Sequence, residues 1–236
     1  MSFLKLAYNE VFYRPLLNGL LFLTSVLPGR DLGLAVILLT LLSRILTFPL
    51  THSMIKTQSA MKKLEPELKK IYKDKKNKEE QNKAIMELYR AHGVNPLSGL
   101  LAVLVQFPLL FALFQVFQHG ASFEHQYIYS FVQIPENINT LFLGLIELTS
   151  ASPVLAALAG VSQYAQMKLA SPPKTEDQTK STGSDMQRMM AYTFPVMIFA
   201  IGFSLPAAVA LYWTAMNVFA IIHEAIVRRR AAAIAS

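Results

Sequence analysis

The chain has 236 residues and a net charge of +7, and its composition is 53% hydrophobic but only 16% charged. Because soluble chains carry roughly 25% charged residues, this composition disfavours a soluble globular domain. The absence of cysteine excludes disulfides, thiolate metal sites, cysteine nucleophiles and a lipid-modified cysteine.

The first 28 residues mix charged and apolar positions. Lys5, Glu10 and Arg14 recur at steps of four and five residues among Phe, Leu and Tyr. This spacing is typical of an amphipathic helix that lies in a membrane interface. We therefore predict an interfacial helix over residues 1–28. The alternative is a signal peptide, but the small-residue pattern of a cleavage site is weak here.

Five apolar runs follow, and the longer ones match the length that a helix needs to cross a bilayer. The last two come from one long stretch, which we divide at Ser204, Leu205 and Pro206, because a single helix of that length would be too long for a membrane. The sequence predicts an all-α polytopic membrane protein with a five-span core over residues 29–236. The predicted spans cover about residues 32–50, 96–117, 153–169, 189–203 and 207–227.

Residues 51–94 hold 17 of the 37 charged residues of the chain. Apolar residues recur there at steps of three and four on both sides of a polar break, which predicts a cytoplasmic helical hairpin. A solvated charged linker is the alternative. Its lysines are candidates for contacts with anionic lipid or ribosomal RNA. The lysines singled out are Lys62, Lys63, Lys69 and Lys70.

The distribution of basic residues predicts the orientation of the spans. Residues 51–94 contain 11 Lys and Arg and residues 168–188 contain four, whereas residues 118–152 contain none. Basic loops tend to stay on the cytoplasmic side. We therefore expect the N-terminus outside, the C-terminus in the cytoplasm and a cytoplasmic loop over residues 170–186.

Arg44 is the most informative single residue, because a charge within a span costs about 2.5–3.5 kcal/mol on insertion scales. It either reaches towards the headgroups or faces a hydrated cavity. Polar residues in other predicted spans favour a wet, positive groove. The candidate groove residues are Arg44, Thr40, Ser43, Gln106, Tyr212, Trp213 and Asn217. For each of these residues other than Arg44, interhelical hydrogen bonding or interface anchoring is at least as good an interpretation when the residue is taken alone.

Methionines in the fourth predicted span suggest a surface for hydrophobic partners. Met190 and Met197 are seven residues apart, and flexible thioether side chains adapt to many partner shapes, although most methionine stripes are simply core. Motifs of bond chemistry are missing, since the sequence has no GxxxxGK, HExxH or GxSxG pattern. We therefore predict no enzyme, no metal and no cofactor.

Three stretches of sequence, in this order, resemble the YidC/Oxa/Alb family of membrane protein insertases. They read RDLGLAVILLTLLSRILTFPL, ELYRAHGVNPLSGLLAVLVQFPLLFALF and FPVMIFAIGFSLPAAVALYWTAMNVFAIIHE. The resemblance extends over about residues 9–229, nearly the whole chain. Each stretch alone is a weak signal, but their common order makes the resemblance specific.

The resemblance implies a five-helix core that encloses a positive, hydrophilic groove open to the cytoplasm and to lipid. In that alignment Arg44 matches the groove arginine, and Thr40, Gln106 and Trp213 match positions that line the groove or contact the substrate. The second and fourth spans form an apolar slide. Its candidate residues are Met190, Met197, Phe107 and Leu110.

The resemblance also implies the function and its partners. We expect a membrane protein insertase that works without nucleotide hydrolysis, with a further role as a folding chaperone. Its partners are nascent membrane proteins and the lipid bilayer, with the ribosome and the Sec translocon as additional candidates and no DNA. Since no transit peptide or long basic tail is present, we expect a prokaryotic plasma membrane. The rival functions are a small channel or transporter and an assembly factor that shields spans without inserting them.

Overall fold

The computed structural model describes residues 3–74, 77–95, 98–118, 125–170 and 182–235, which are mostly helical. They divide into two units, Met1–Ile45 with Pro108–Ser236 and Leu46–Phe107. The helices are α1 (Phe3–Tyr8), α2 (Arg14–Val26), α3 (Leu32–Leu46), α4 (Phe48–Lys63), α5 (Glu65–Asp74), α6 (Lys78–Ala91), α7 (Ser98–Gln118), α8 (Pro153–Ala170), α9 (Thr182–Gly202) and α10 (Ala207–Ala235). Two short strands, β1 (Leu141–Phe142) and β2 (Ile146–Glu147), form an antiparallel β-hairpin.

The N-terminal segment is one continuous helix, because a π-helical turn at Asn9–Tyr13 joins α1 to α2 without a break in the helical backbone angles. One face of α2 is buried in the core of the first unit. The other face carries exposed Phe22 and Val26, which suit a lipid surface. The buried leucines are Leu16, Leu17, Leu20 and Leu21. The predicted location of this helix in the membrane interface stays a prediction.

Polar side chains fix the N-terminal helix to α7 and to the connection that follows it. The Tyr8 hydroxyl donates to Gln115 Oε1 at 2.8 Å. Burial raises the pKa of Tyr8 to about 12, so the hydroxyl keeps its proton and remains a donor. The Asn18 side chain donates to the Tyr127 carbonyl at 2.8 Å and accepts from the Tyr129 amide at 2.7 Å. These contacts join segments more than 100 residues apart in the chain.

Asp31 determines where α3 begins. Its Oδ1 atom accepts from the amides of Gly33 and Leu34 at 2.7 and 3.1 Å, which satisfies two of the unpaired N–H groups of the first helical turn. Its Oδ2 atom accepts from the Leu143 amide at 2.8 Å, in the turn of the β-hairpin. One buried carboxylate thus links the start of α3 to a hairpin 112 residues away. This β-hairpin departs from the all-α prediction.

The segment after the β-hairpin brings the starts of α8 and α10 to the same end of the first unit. The Leu148 carbonyl accepts from the Ala208 amide at 3.1 Å, and the Ser150 carbonyl accepts from the Ala207 amide at 2.8 Å. Helix α8 begins three residues later, at Pro153. Helices α3, α8 and α10 therefore all begin beside the β-hairpin.

Close helix contact in the first unit depends on small residues. A Cβ atom at Gly202 of α9 would lie 2.7 Å from Ala156 Cβ and 3.1 Å from Ala156 Cα on α8. At Gly160 of α8, a Cβ would lie 3.0 Å from Phe199 Cβ and 3.2 Å from the Pro195 carbonyl oxygen. Small residues let helix backbones approach closely, which is how membrane helices gain van der Waals contact.

We expect Gly202→Val to lower the free energy of unfolding by about 1–3 kcal/mol, because the added side chain meets the Ala156 backbone, which has no flexible end to move aside. The measurement is denaturant unfolding of the purified protein in mixed micelles. Ala200→Val, on the exposed face of the same helix, is the matched control and should change stability by less than about 0.5 kcal/mol. Equal effects of the two variants would show that the α8–α9 contact is loose.

In the second unit, α4, α5 and α6 surround a small apolar core. Buried Leu64, Tyr89 and Val94 form its centre. Residues of both predicted apolar stripes pack against it: Met61, Leu68, Ile85 and Leu88. Helix α5 starts anew at Glu65, just before Pro66, and α6 is capped by the Asn77 side chain, which accepts from the Glu79 amide at 3.0 Å. The cytoplasmic helical hairpin as a whole stays a prediction.

Among the described residues, one helical stretch, Ala207–Val227, has by itself the length and hydropathy to cross a membrane. Shorter apolar stretches occur at Leu32–Leu46, Phe107–Gln118 and Tyr192–Gly202. Helix α3 ends at Leu46 rather than at residue 50, because Pro49 lacks an amide hydrogen and its ring would clash with the carbonyl one turn earlier. The five predicted spans therefore stay a prediction.

Candidate functional site

Arg44 lies in the last turn of α3, with its side chain half-buried. Thr40, one turn earlier, is buried, and its hydroxyl donates to the Val36 carbonyl at 2.7 Å. The Ser43 hydroxyl donates to the Thr40 carbonyl at 2.8 Å. Both hydroxyls use their protons on the helix backbone, so their oxygens can act only as acceptors towards another group.

Tyr212 of α10 is the predicted groove residue that the structure brings towards Arg44. It is buried, and its phenol interacts electrostatically with the Arg44 guanidinium. A guanidinium inside an apolar helix needs polar oxygens or water around it. The pair therefore marks a polar position between α3 and α10, inside the first unit.

Trp213 and Asn217 form hydrogen bonds between α8 and α10. The Trp213 indole Nε1 donates to Gln163 Oε1 at 2.8 Å, and the Asn217 amide donates to Ser162 Oγ at 3.1 Å. Gln163 and Asn217 are buried. Each of these two candidates thus has the structural role that the sequence analysis left open, as a bond between helices.

Gln163 and Ser162 are site residues that the sequence analysis missed. They are adjacent polar residues within the apolar run of α8. The same feature, a polar residue in the middle of a predicted span, had drawn attention to Gln106. Applied evenly to every span, it would have found Gln163.

We expect the Trp213–Gln163 hydrogen bond to contribute about 0.5–1.5 kcal/mol to stability, because double-mutant cycles on bonds between membrane helices average about 0.6 and reach about 1.7 kcal/mol. The measurement is a double-mutant cycle with Trp213→Phe and Gln163→Leu, read as the free energy of unfolding in mixed micelles. Trp213→Phe combined with Tyr8→Phe should be additive, because Trp213 bonds to Gln163 whereas Tyr8 bonds to Gln115. A coupling energy of zero in the first cycle would mean that the indole and the amide do not bond.

The remaining predicted site residues are spread over both units. Gln106 and Phe107 belong to the second unit; the Gln106 side chain lies outside the described residues, and Phe107 is exposed. Leu110 packs against the core of the first unit, whereas Met197 on α9 is exposed. The side chain of Met190 lies outside the described residues.

The four predicted contact lysines belong to the second unit. Lys63 and Lys70 are exposed and Lys69 is half-buried. The Lys62 side chain lies outside the described residues. The exposed ammonium groups are accessible to an anionic surface.

An acidic residue of the β-hairpin is held in its ionised form. The Thr149 hydroxyl donates to Glu147 Oε1 at 2.7 Å, the Thr149 amide donates to the same oxygen at 3.0 Å, and the Thr140 hydroxyl donates to Oε2 at 3.0 Å. These donors, with the Thr149 hydroxyl first, lower the pKa of Glu147. Glu147 therefore remains negatively charged at neutral pH.

The fold and the site define a helical membrane protein with a cationic residue inside an apolar helix and polar groups between its helices. Residues 22–233 match the family described as the 60Kd inner membrane protein. The chain belongs to this family, which confirms the resemblance drawn from the sequence motifs.

Several relatives carry the name membrane protein insertase YidC. The protein of Fusobacterium nucleatum is 35% identical over 203 residues, which cover 86% of this chain and 88% of the relative. That of Oceanobacillus iheyensis is 29% identical over 227 residues, covering 94% and 84%. That of Pelobacter propionicus is 33% identical over 221 residues, covering 92% of this chain but 38% of the relative.

A solved structure supports the same fold. The crystal structure of an active YidC insertase, with its first transmembrane domain resolved, is 26% identical to this chain and superposes with a TM-score of 0.59. The match covers 93% of this chain and 46% of that chain. This chain thus spans most of some relatives and less than half of others.

Proposed function

We propose that this chain is a membrane protein insertase, which takes hydrophobic segments of newly made proteins from the cytoplasm and releases them into the lipid bilayer. The observation that carries the proposal is Arg44, a cation within an apolar helix beside the buried phenol of Tyr212. Family membership and the names of the relatives point to the same activity. No covalent bond is formed or broken in it, and no nucleotide is needed.

The chemistry of the site suggests how the transfer proceeds. A short polar flank of the substrate binds near Arg44, whose guanidinium offers donors to carboxylates and carbonyls. Thr40 and Ser43 offer acceptor oxygens on the same helix. These groups shorten the path along which the polar flank lacks hydrogen-bond partners, which lowers the barrier to crossing.

Burial of the apolar part of the substrate in lipid provides the driving force, at about 25 cal/mol per Å². The apolar segment leaves along exposed apolar side chains of the first unit, such as Met197. An acidic or neutral flank should be favoured over a basic one, because the groove charge is positive. Exposed Lys63 and Lys70 are then the contacts for anionic lipid or for a ribosome.

The proposed topology has five spans, α3, α7, α8, α9 and α10, with the N-terminus outside and the C-terminus in the cytoplasm. The common location of the starts of α3, α8 and α10 beside the β-hairpin supports it, since the first, third and fifth spans of such a chain must begin on the same side of the membrane. The absence of Lys and Arg between residues 118 and 152 agrees with an outer location for the β-hairpin.

The proposal is tested by inserting a single-span substrate into liposomes that contain only the purified chain. Insertion is scored as protection of the substrate from added protease. We expect protection well above that of empty liposomes. Protection equal to that of empty liposomes, with the protein correctly folded, would reject insertion by this chain alone. Steady ion currents through the same protein in a planar bilayer would instead favour a channel.

A further inference from the structure

The turn of the β-hairpin holds a leucine in a backbone conformation that leucine rarely adopts. Leu143 has φ +51° and Gly144 has φ +71°, and the Leu145 amide donates to the Phe142 carbonyl at 2.9 Å. This is the pattern of a type I′ turn, whose first central position favours Asn, Asp or Gly. A side chain with a branched Cγ is a poor choice there for folding alone. Its presence points to a use outside the turn.

The β-hairpin has one face in the core and one apolar face that is exposed. Phe142 and Ile146 pack against the core of the first unit. Leu141, Leu143 and Leu145 point the other way and are 40%, 60% and 81% exposed. We call these three side chains the leucine tip. Three exposed leucines on a two-stranded hairpin are unfavourable in water, so we expect an apolar surface to cover them.

The leucine tip is fixed at the level where two apolar helices begin. Asp31, the capping residue of α3, accepts from the Leu143 amide, and the Leu148 carbonyl accepts from the Ala208 amide at the start of α10. The Phe142 ring lies so close to Gly33 that a Cβ atom there would overlap it. Where an apolar helix begins, a membrane changes from headgroups to acyl chains. If α3 and α10 cross the membrane as proposed, the leucine tip lies at the boundary of the hydrocarbon layer.

The charge around the tip selects the kind of surface that can cover it. Residues 118–152 contain no Lys or Arg. Glu147, which pairs with Leu141 across the hairpin, is negatively charged, with its oxygens bonded to Thr149 and Thr140. Anionic headgroups are recognised by Lys and Arg, so they are not the attraction here. Acyl chains, which carry no charge, fit the tip best.

We propose that the leucine tip inserts into the acyl chains of the outer leaflet, as an uncharged anchor that sets the depth of the first unit in the membrane. The anchor lies apart from Arg44 and acts through lipid rather than through the substrate. It rests on the topology proposed above but not on the insertase activity, so the anchor and the insertase activity can each fail without the other.

Because the chain has no cysteine, a single introduced cysteine can be labelled without removing any other. Leu145→Cys carries an NBD fluorophore in the full chain, reconstituted into vesicles of phosphatidylcholine. We expect spin-labelled lipids with the label near the top of the acyl chain to quench NBD at least twofold more than headgroup-labelled lipids. Aqueous iodide should quench it at least threefold less than NBD at Glu136→Cys, an exposed position in the same connection. Adding anionic lipid should leave both ratios unchanged.

A second variant separates anchoring from folding. Leu143→Asn suits the left-handed backbone, so it should fold as well as the parent while removing one tip side chain. In the Leu145→Cys background, we expect it to raise iodide quenching at least twofold. If iodide quenched NBD at Leu145→Cys, without the Leu143→Asn change, as strongly as NBD at Glu136→Cys, the proposal would be overturned. If NBD at Leu145→Cys were protected from iodide in native membranes but not in vesicles that contain only lipid and this chain, the proposal would be overturned in favour of a protein partner.

Discussion

Arg44→Ala is expected to reduce insertion of a single-span substrate into liposomes at least tenfold while leaving the folded protein as stable as the parent or more stable. The reason is that a charge in an apolar helix costs free energy, about 2.5–3.5 kcal/mol on insertion scales, and alanine removes that cost. Activity falls because the polar flank of the substrate loses its cationic partner. Protease protection and the free energy of unfolding are measured on the same preparation.

Two further arginine variants separate the effects of donor geometry and of net charge. Arg44→Lys keeps the charge but loses the planar fork of donors, so we expect activity between the parent and Arg44→Ala. Arg30→Asn removes a positive charge from an exposed position with φ +50°, where asparagine is tolerated, and should insert the substrate normally. Loss of activity in Arg30→Asn as large as in Arg44→Ala would mean that net charge, rather than the site, is responsible.

The substrate itself provides a further control. If Arg44 acts through its charge, an acidic flank should lose more insertion in Arg44→Ala than a neutral flank of the same length. An equal loss for both flanks would assign Arg44 a structural role and would contradict the electrostatic mechanism.

The second large effect is expected from Asp31→Ala, which should lower the free energy of unfolding by about 2–4 kcal/mol. The substitution leaves the amides of Gly33, Leu34 and Leu143 without their acceptor at a buried position. Loss of a helix cap costs about 0.5–2 kcal/mol, and each buried donor left unpaired costs about 1–3 kcal/mol. Denaturant unfolding in mixed micelles gives the value directly.

Asp31→Asn and Asp74→Ala are the matched controls. Asparagine keeps one acceptor oxygen for the helix cap, so Asp31→Asn should lose less than Asp31→Ala. Asp74 is exposed at the end of α5, and Asp74→Ala should change stability by less than about 0.5 kcal/mol. If Asp31→Ala proved as stable as Asp74→Ala, the hydrogen bond between Asp31 and the β-hairpin would contribute nothing to the free energy of unfolding.

The sequence was informative where one local rule decides the structure. The backbone inside a membrane must satisfy its own hydrogen bonds, so apolar runs become helices and prolines limit them. The predicted starts of the runs at residues 32, 153 and 207 coincide with the starts of α3, α8 and α10. Helix α3 ends at Leu46, before the end of the apolar run at residue 50, because the run continues through Pro49 while the helix does not.

The sequence was least informative where distant segments meet. The β-hairpin has two residues in each strand, and Asp31 is 112 residues away from the turn that it holds. The bond between Trp213 and Gln163 joins positions 50 residues apart. No local periodicity encodes such pairs. Arg44 and Tyr212 could be singled out as polar residues in apolar runs, but the electrostatic interaction between them depends on the fold and is not encoded in either run.

The Asp31–Leu143 bond also has a consequence for the order in which this protein is made. At roughly 5–20 residues per second, the ribosome completes Leu143 about 6–22 s after Asp31. During that interval the first turn of α3 has only the Oδ1 cap, and the β-hairpin does not yet exist. Ala208, which closes the same end of the unit, is synthesised later still. Translation therefore sets the order in which the contacts at this end can form: first the cap of α3, then the β-hairpin, and last the start of α10.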